Sequence, residues 1–330
     1  MESEPLVSII TLSYNHERYI GDCIESVQAQ TYTQWEMLVV DDGSSDKTVA
    51  VAEHYALEDK RIRLFMRQNI GVFRMNENYN YALAQSSGKY IAILDGDDVW
   101  LPQKLEIQIP LLEDHSEAVV CFGQAYRSNH DLTKNMGLSP TSAQWSHIQA
   151  QLLVKNVIPA LTAVIRGEAL HHIGGFQQSH QLPLVDLPTF LKLSLTGDFI
   201  FTPRPLGKWR HHGNEVTLTH AISIAEGVYR LSLDFYRTYK ERGHFAALSE
   251  KMIYRAHHKN FVMHYARSGR KKLLLRDHSG ARKDYLRAIF KYGWSQPLWK
   301  LRALTGYLFS IFHLDLEKFV RFLGKPSFTQ

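Results

Sequence analysis

The feature that most limits the fold is a regular alternation over the first 125 residues. Short apolar, β-branched runs alternate with segments whose apolar residues recur every three or four positions. "LVSIITLSYN" reads as a buried strand ending near Ser13, and "RYIGDCIESVQAQ" puts Ile20, Cys23, Ile24 and Val27 on one helical face. "WEMLVVDD" is a second strand ending at Asp41-Asp42, after which Asp46 and Thr48 open a helix through "TVAVAEHYA". "IRLFM" is a third strand. A helix over 72–85 turns Tyr79 and Leu83 inward and is closed by Gly88. "YIAILD" is a fourth strand, "PQKLEIQIPLL" a helix with Pro102 in its first turn, and "AVVCFG" a fifth strand. Such alternation predicts a parallel, doubly wound α/β sheet.

In sheets of this kind ligands bind beyond the carboxyl ends of the strands. Three polar clusters fall there: Asn15, Asp41-Asp42, and Asp95-Asp97-Asp98 in "IAILDGDDVW". The last places three carboxylates within four positions after a buried strand. The nearest cation downstream is Lys104, so the compensating charge is expected from outside, with a divalent metal the first candidate.

Beyond residue 125 the pattern is less regular. A strand is expected over Ala160–Ile165, a helix near Pro188–Leu195, and a strand near Phe199–Thr202; from His220 onward the pattern is helical. Charge divides at the same place. Residues 1–220 hold 17 Lys+Arg against 25 Asp+Glu, and residues 221–330 hold 21 against 8. Two domains are expected, 1–220 and a basic helical region, 221–330. An anionic lipid or glycolipid surface suits such a tail, as would RNA. The stretch from Trp294 to Leu323 mixes Trp299, Leu304, Leu308 and Phe312 with Lys300, Arg302 and Lys318, and reads as an amphipathic membrane-facing helix or as bundle core. No uncharged apolar run reaches the length of about 18 residues needed to span a bilayer. Cys23 and Cys121 lack metal or disulfide spacing and fit a reducing compartment. Glu2 and Glu4 are the wrong charge for an export signal.

"VSIITLSYNHERYIGDCIESVQAQTYTQWEMLVVDDGSSDKT" together with "GKYIAILDGDDVWLPQKLEIQ" resembles the family 2 glycosyltransferases, inverting enzymes of the GT-A fold that use nucleotide sugars. The resemblance covers roughly residues 5 to 217. It implies a Rossmann-like, mostly parallel sheet flanked by helices, followed here by the helical region. It implies that Asp42 contacts the base of a uridine nucleotide, flanked by Leu12, Tyr14 and Asn15, and that Arg74 approaches the same nucleotide. Asp95-Gly96-Asp97 matches the family's DxD element, with Asp97 on a Mg²⁺ or Mn²⁺ ion that bridges the diphosphate, and Asp95 facing the ribose or the metal shell. Gly174-Gly175-Phe176 matches a GGF segment, and Asp186 in "LVDLPTFLKL" matches the catalytic base. "WRHHGNEVT" resembles the stretch that closes over the donor, making Arg210 and His212 candidates.

Two departures stand out. Val185 replaces the acid that precedes the family's base, and Pro188 and Phe190 occupy the positions of a further acid and a Trp. Asp186 also suits a helix N-cap, and the pair His171-His172 reads as structural. The implied partners are a nucleotide-sugar donor and a glycan or lipid-linked oligosaccharide acceptor, with no nucleic acid. The implied place is the cytoplasm or the inner face of the plasma membrane, in surface-polysaccharide synthesis. Two other readings stay open: an inactive domain that still binds nucleotide sugar, and a Mg²⁺-dependent phosphoryl-transfer enzyme. No GxxxxGK[ST] loop supports the second.

Overall fold

The computed structural model describes residues 4–140, 148–242, 245, 248–292 and 296–313. Residues 294–295 and 314–323 of the suggested membrane-facing stretch lie outside them. The chain forms two compact units, Met1–Thr219 and His220–Gln330.

The first unit begins β1 (Val7–Ser13), α1 (Ile20–Gln28), β2 (Trp35–Asp41), α2 (Thr48–Glu58), β3 (Ile62–Met66), α3 (Met75–Gln85) and β4 (Tyr90–Ile93). A 3-10 turn, Val72–Arg74, leads into α3. These four strands are parallel in the order β3-β2-β1-β4. β1 is buried on both faces and paired on both edges, which is why its sequence is almost continuously apolar. Its register sets Ser13 opposite Asp41 and Ile10 opposite Ile93, so the polar residues after each strand emerge on one rim. Gly88 does not end α3, which stops at Gln85. It lets the chain pass against β1, where an added Cβ would lie 2.5 Å from Ser8 N.

The unit continues with β5 (Val99–Trp100), α4 (Lys104–Glu113), β6 (Ala118–Asn129), β7 (Asn135–Ser139), α5 (Ile148–Val154), β8 (Val164–Arg166), α6 (Gly167–His172), α7 (Asp186–Leu193), β9 (Asp198–His211) and α8 (Val216–Thr219). They extend the sheet through β4-β8-β6-β9-β5, with β7 on β6. Here β8 is antiparallel to β4 and β6, and only β6 and β9 run parallel. The expected strand at 160–165 is a 3-10 turn, Ala160–Thr162, followed by the short β8.

β9 is the main departure from expectation. It runs 14 residues rather than four, carrying Trp209, Arg210 and His211 into the sheet opposite Arg127, Ser128 and Asn129. Pro203 and Pro205 hide it in the sequence, because proline cannot donate to a ladder. The structure accommodates them where the β6–β9 register shifts, between Gly123 and Ala125.

The second unit is helical: α9 (Ala221–Tyr239), α10 (Glu250–Leu274), α11 (His278–Leu286), which continues as a π turn over Arg287–Lys291, and α12 (Pro297–Ile311). Its core gathers Phe261, Val262, Tyr265, Tyr285, Tyr292 and Ala303. The Tyr285 ring wedges between Gly269 of α10 and Gly306 of α12, where any Cβ would collide with it.

Candidate active site

The rim is built first by two loops that fasten each other. Asn15, just past β1, adopts a left-handed conformation with φ of 54°. Its Oδ1 accepts the Ser45 N–H at 2.9 Å, and its own N–H donates to Ser44 Oγ at 2.8 Å. Asp41 is buried and holds the turn from within, accepting the Ser44 N–H and the Ser44 and Ser13 hydroxyls. Asp42 faces the next loop. Its carboxylate accepts from Ile70 N–H at 3.1 Å, Gly71 N–H at 3.3 Å and Asn78 Nδ2 at 2.7 Å. Leu12 lends its carbonyl to Gly96 N–H, and Tyr14 stands exposed beside them. Arg74 is not brought into this group. Its guanidinium lies at the surface in a fork with Glu77, at 2.6 and 2.8 Å.

The three carboxylates of 95–98 have three different surroundings. Asp95 accepts from the Tyr79 hydroxyl. Asp97 Oδ2 lies 3.0 Å from His212 Nε2 and 4.0 Å from His16 Nε2. Asp98 is buried and accepts the Arg210 N–H at 2.8 Å. Gly96 between them is required by closeness: an added Cβ would meet His16 Nδ1 at 3.0 Å and Ile20 Cδ1 at 3.1 Å.

Arg210 lies beneath the acid triplet and is 1% exposed. Its Nε donates to the Asp97 carbonyl at 2.7 Å, Nη1 to His130 O at 2.6 Å and Nη2 to Asp22 Oδ2 at 2.8 Å, while Tyr19 stacks 4.7 Å away. The acid triplet is therefore partly compensated from within, by a cation 112 positions away in sequence. Lys104 plays no part there; it is buried against Gln108 and Trp100.

That compensation is incomplete. Burial first, and the charge of Asp97 second, push Asp95 up to about 7. Burial and Asp97 likewise hold Asp98 far above the usual carboxylate range. Burial acts upward on Asp97 too, but the His212 hydrogen bond and the charges of His16 and His212 outweigh it, and Asp97 stays low. His212 is raised by its bond to Asp97. Burial lowers His16, whose Nδ1 is buried with no hydrogen-bond partner. A buried carboxylate raised this far marks a place short of positive charge. Among the described residues no group of three His, Cys, Asp or Glu forms a ready-made cage. The donor set fits a hard divalent ion held by one or two carboxylates and completed by phosphate oxygens.

Asp186 joins the same rim. It opens α7 behind Val185, and its Oδ2 accepts from Asn156 Nδ2 at 2.7 Å. The amide of Leu187 also bonds its carboxylate, as suits a helix N-terminus, yet burial still raises it above its ordinary value. Its charge acts on both Asp95 and Tyr79, which places it with the acid cluster. The segment leading to α7 is fixed by Gly174 and Gly175, both at positive φ, and by Asn80, whose side chain exchanges two hydrogen bonds with the Phe176 backbone. Phe176 packs 4.8 Å from the Tyr79 ring. His171 and His172 sit exposed on α6, outside the acid cluster. His16, Tyr79, Asn78 and Asn156 were not singled out as site residues from the sequence. Only His16 carried a signal, its place immediately after "SYN".

Residues 8–170 match the family model described as Glycosyl transferase family 2. TuaG of Bacillus subtilis (strain 168), named for teichuronic acid biosynthesis, is 33% identical over 196 residues, covering 59% of this chain and 74% of TuaG. The chain belongs to glycosyl transferase family 2. This family 2 enzyme is also 44% identical over 162 residues to the Escherichia coli UDP-Glc:alpha-D-GlcNAc-diphosphoundecaprenol beta-1,3-glucosyltransferase WfgD, spanning 48% of this chain and 60% of WfgD. Staphylococcus aureus TarS 1–349, solved with UDP-GlcNAc, matches its fold with a TM-score of 0.58 at 15% identity, over 97% of this chain and 92% of that one. The architecture is the GT-A fold, and the enzyme class is a nucleotide-sugar-dependent glycosyltransferase. Family membership sets aside the phosphoryl-transfer reading.

Proposed function

We propose that this transferase moves a sugar, with inversion, from a UDP-sugar to a hydroxyl of a lipid-linked glycan during surface-polysaccharide synthesis. The observation that carries the reading is the meeting of Asp95, Asp97 and Asp186 at one rim, with Asp186 electrostatically linked to Asp95. TarS was solved with UDP-GlcNAc, and the name of WfgD gives a UDP-Glc donor and a diphosphoundecaprenol-linked acceptor. Both favour uracil as the base, and WfgD favours a lipid diphosphate in the acceptor.

Asp97 and Asp95 would hold Mg²⁺ or Mn²⁺, which when bound supplies the charge that stabilises a leaving diphosphate. Asp42 keeps acceptor capacity beyond its bonds to Ile70, Gly71 and Asn78 and takes the uracil N3–H. Leu12, Tyr14 and Asn15 form the wall beside that base. Arg74 must release Glu77 to reach the nucleotide, and His212 orients Asp97. Asp186 acts as general base. The acceptor oxygen bonds to the sugar C1 while the bond from C1 to the diphosphate oxygen breaks, and the acceptor proton passes to the Asp186 carboxylate. The protein works in the cytoplasm, where the buried thiols Cys23 and Cys121 remain unpaired. Among the described residues no helix is long and apolar enough to cross a membrane. The basic region 221–330 favours a peripheral position on an anionic bilayer.

Donor binding and turnover with a panel of nucleotide sugars, with and without Mn²⁺, test the reading on wild type, Asp97→Ala and Asp186→Asn. Mn²⁺-dependent binding of one UDP-sugar, lost in Asp97→Ala and kept without turnover in Asp186→Asn, is the expected result. Binding without turnover in wild type, against every acceptor supplied, favours the inactive-domain reading that Val185 and the missing acids raised. Metal-independent binding overturns the assignment of Asp95 and Asp97.

A further inference from the structure

α12 is built inside out. Its buried residues are the small ones, Ala303, Gly306 and Ser310, and Gly306 receives the Tyr285 ring. Trp299, Tyr307 and Phe309 also pack against the unit's core, but six other large apolar residues face away from it. Leu298 is 74% exposed, Leu301 61% and Phe312, at its end, 66%; Leu304, Leu308 and Ile311 are exposed with them. At about 100° per residue these six fall within one stripe roughly 140° wide. Lys300 flanks one edge of the stripe and Arg302 the other. Arg302 lies 4.7 Å from the Trp299 ring, and the Lys300 ammonium donates to Ile289 O. A helix that already packs by Ala303, Gly306, Ser310 and three aromatic residues gains nothing for its own core from six exposed large apolar ones. A stripe of this size on a water-soluble face needs an occupant.

We propose that the outward stripe of α12 is the surface by which this enzyme lies on an anionic lipid bilayer, with its leucines in the acyl boundary and Lys300 and Arg302 at headgroup level. The inference rests on the peripheral location proposed above and names the face responsible. Charge selects the occupant. Residues 285–313 contain Arg287, Lys291, Lys300 and Arg302 and no Asp or Glu. A second copy docked through the same stripe would set these cations against their own equivalents. An anionic headgroup layer complements them, and a basic-edged apolar stripe is the pattern of a helix lying in the interface plane.

Vesicle co-sedimentation of the full chain tests this, using phosphatidylcholine alone and a 3:1 mixture with phosphatidylglycerol. The variants are Leu301→Gln/Leu304→Gln/Leu308→Gln and, separately, Arg302→Gln. Circular dichroism, thermal melting, UDP-sugar hydrolysis and gel filtration accompany each. Wild type is expected to bind the mixed vesicles at least tenfold more tightly than phosphatidylcholine. The triple variant should lose at least tenfold of that binding with its melt and hydrolysis unchanged, and Arg302→Gln should lose a few-fold. If wild type ignores the mixed vesicles, the peripheral location and this face both fall. If wild type binds but the triple variant binds equally, the location stands and the α12 face is overturned. If the triple variant turns a dimer into a monomer with vesicle binding intact, the stripe is a contact between copies and the proposal is overturned. Should the triple variant melt early, Leu301→Gln alone, held to the same comparison, decides.

Discussion

Arg210 sits under the Asp95–Asp98 turn and holds it by two separate bonds. Its Nε donates to the Asp97 carbonyl at 2.7 Å, and its backbone N–H donates to Asp98 Oδ1 at 2.8 Å. One buried residue at the end of β9 thus fixes both the aim of Asp97 and the position of Asp98. Lysine would keep the backbone bond to Asp98 but lacks the planar fork that reaches the Asp97 and His130 carbonyls and Asp22.

Arg210→Met should therefore destabilise the protein by about 1–3 kcal/mol, because the Asp97 and His130 carbonyls and Asp22 lose their donors while the backbone bond to Asp98 remains. Arg210→Lys should fall between, with a lower melting temperature and weaker Mn²⁺-dependent donor binding together. A Lys variant that melts like wild type and shows only a raised donor KM would mean that Arg210 meets the donor directly.

Asp186→Asn should lower kcat by about 10²–10⁴ while leaving the donor Kd unchanged. The pH profile gives a second readout. Burial raises Asp186 above an ordinary carboxylate, and a general base works only when ionised. The acid limb of kcat/KM should thus rise with pH through a value above that of an exposed Asp. The residual rate of Asp186→Asn should lack that limb; an identical limb in the variant would assign it to another group.

Lys104 predicts a pH-dependent stability. Burial lowers its pKa to about 7, against about 10.4 in an unfolded chain. Between those values the unfolded chain binds more protons than the folded one, so stability rises as pH rises through the window and falls as pH drops. Urea unfolding at pH 7, 8 and 9 should show wild type gaining on the order of 2 kcal/mol relative to Lys104→Met. A difference that stays constant across the three values refutes the buried, deprotonating lysine.

Gly175→Ala should cost about 2 kcal/mol or more. Its φ of 84° disfavours any side chain, and an added Cβ would strike Asn80 Oδ1, which accepts the Phe176 N–H. Gly174→Ala has a similar φ but meets only the end of Gln177, at 3.9 Å. It should cost less, and equal melting temperatures for the two variants would remove Asn80 from the explanation.

β1, β2 and β4 were legible because burial on both faces leaves them mostly apolar, and β3, partly buried at the sheet edge, because it is a short apolar run between two helices. The rim was legible because carboxylates after such runs have few other uses. Asp42, Asp95, Asp97 and Asp186 were named from sequence, and the fold brings the last three within electrostatic reach. The rest was hidden for identifiable reasons. β9 contains two prolines, so only its beginning, near Phe199–Thr202, reads as a strand. Its consequence, a buried Arg210, depends on pairing with β6, which no local pattern encodes. Tyr79 reads as core because most of its ring is core; only its hydroxyl reaches Asp95. Asn156 lies between α5 and a 3-10 turn, where there is no periodicity to read.

The 112-residue gap between Asp98 and Arg210 also sets an order of assembly. A ribosome adds about 5–20 residues per second, so the acidic turn is made roughly 6–20 s before its internal counter-charge exists. During that interval β1 to β4 can pair, but the turn after β4 carries three adjacent carboxylates with no guanidinium beneath them. The nascent chain holds an unfinished and self-repelling pocket until β9 slots in beside β6. The arrangement of Asp97 and Asp98 is thereby tied to completion of the sheet.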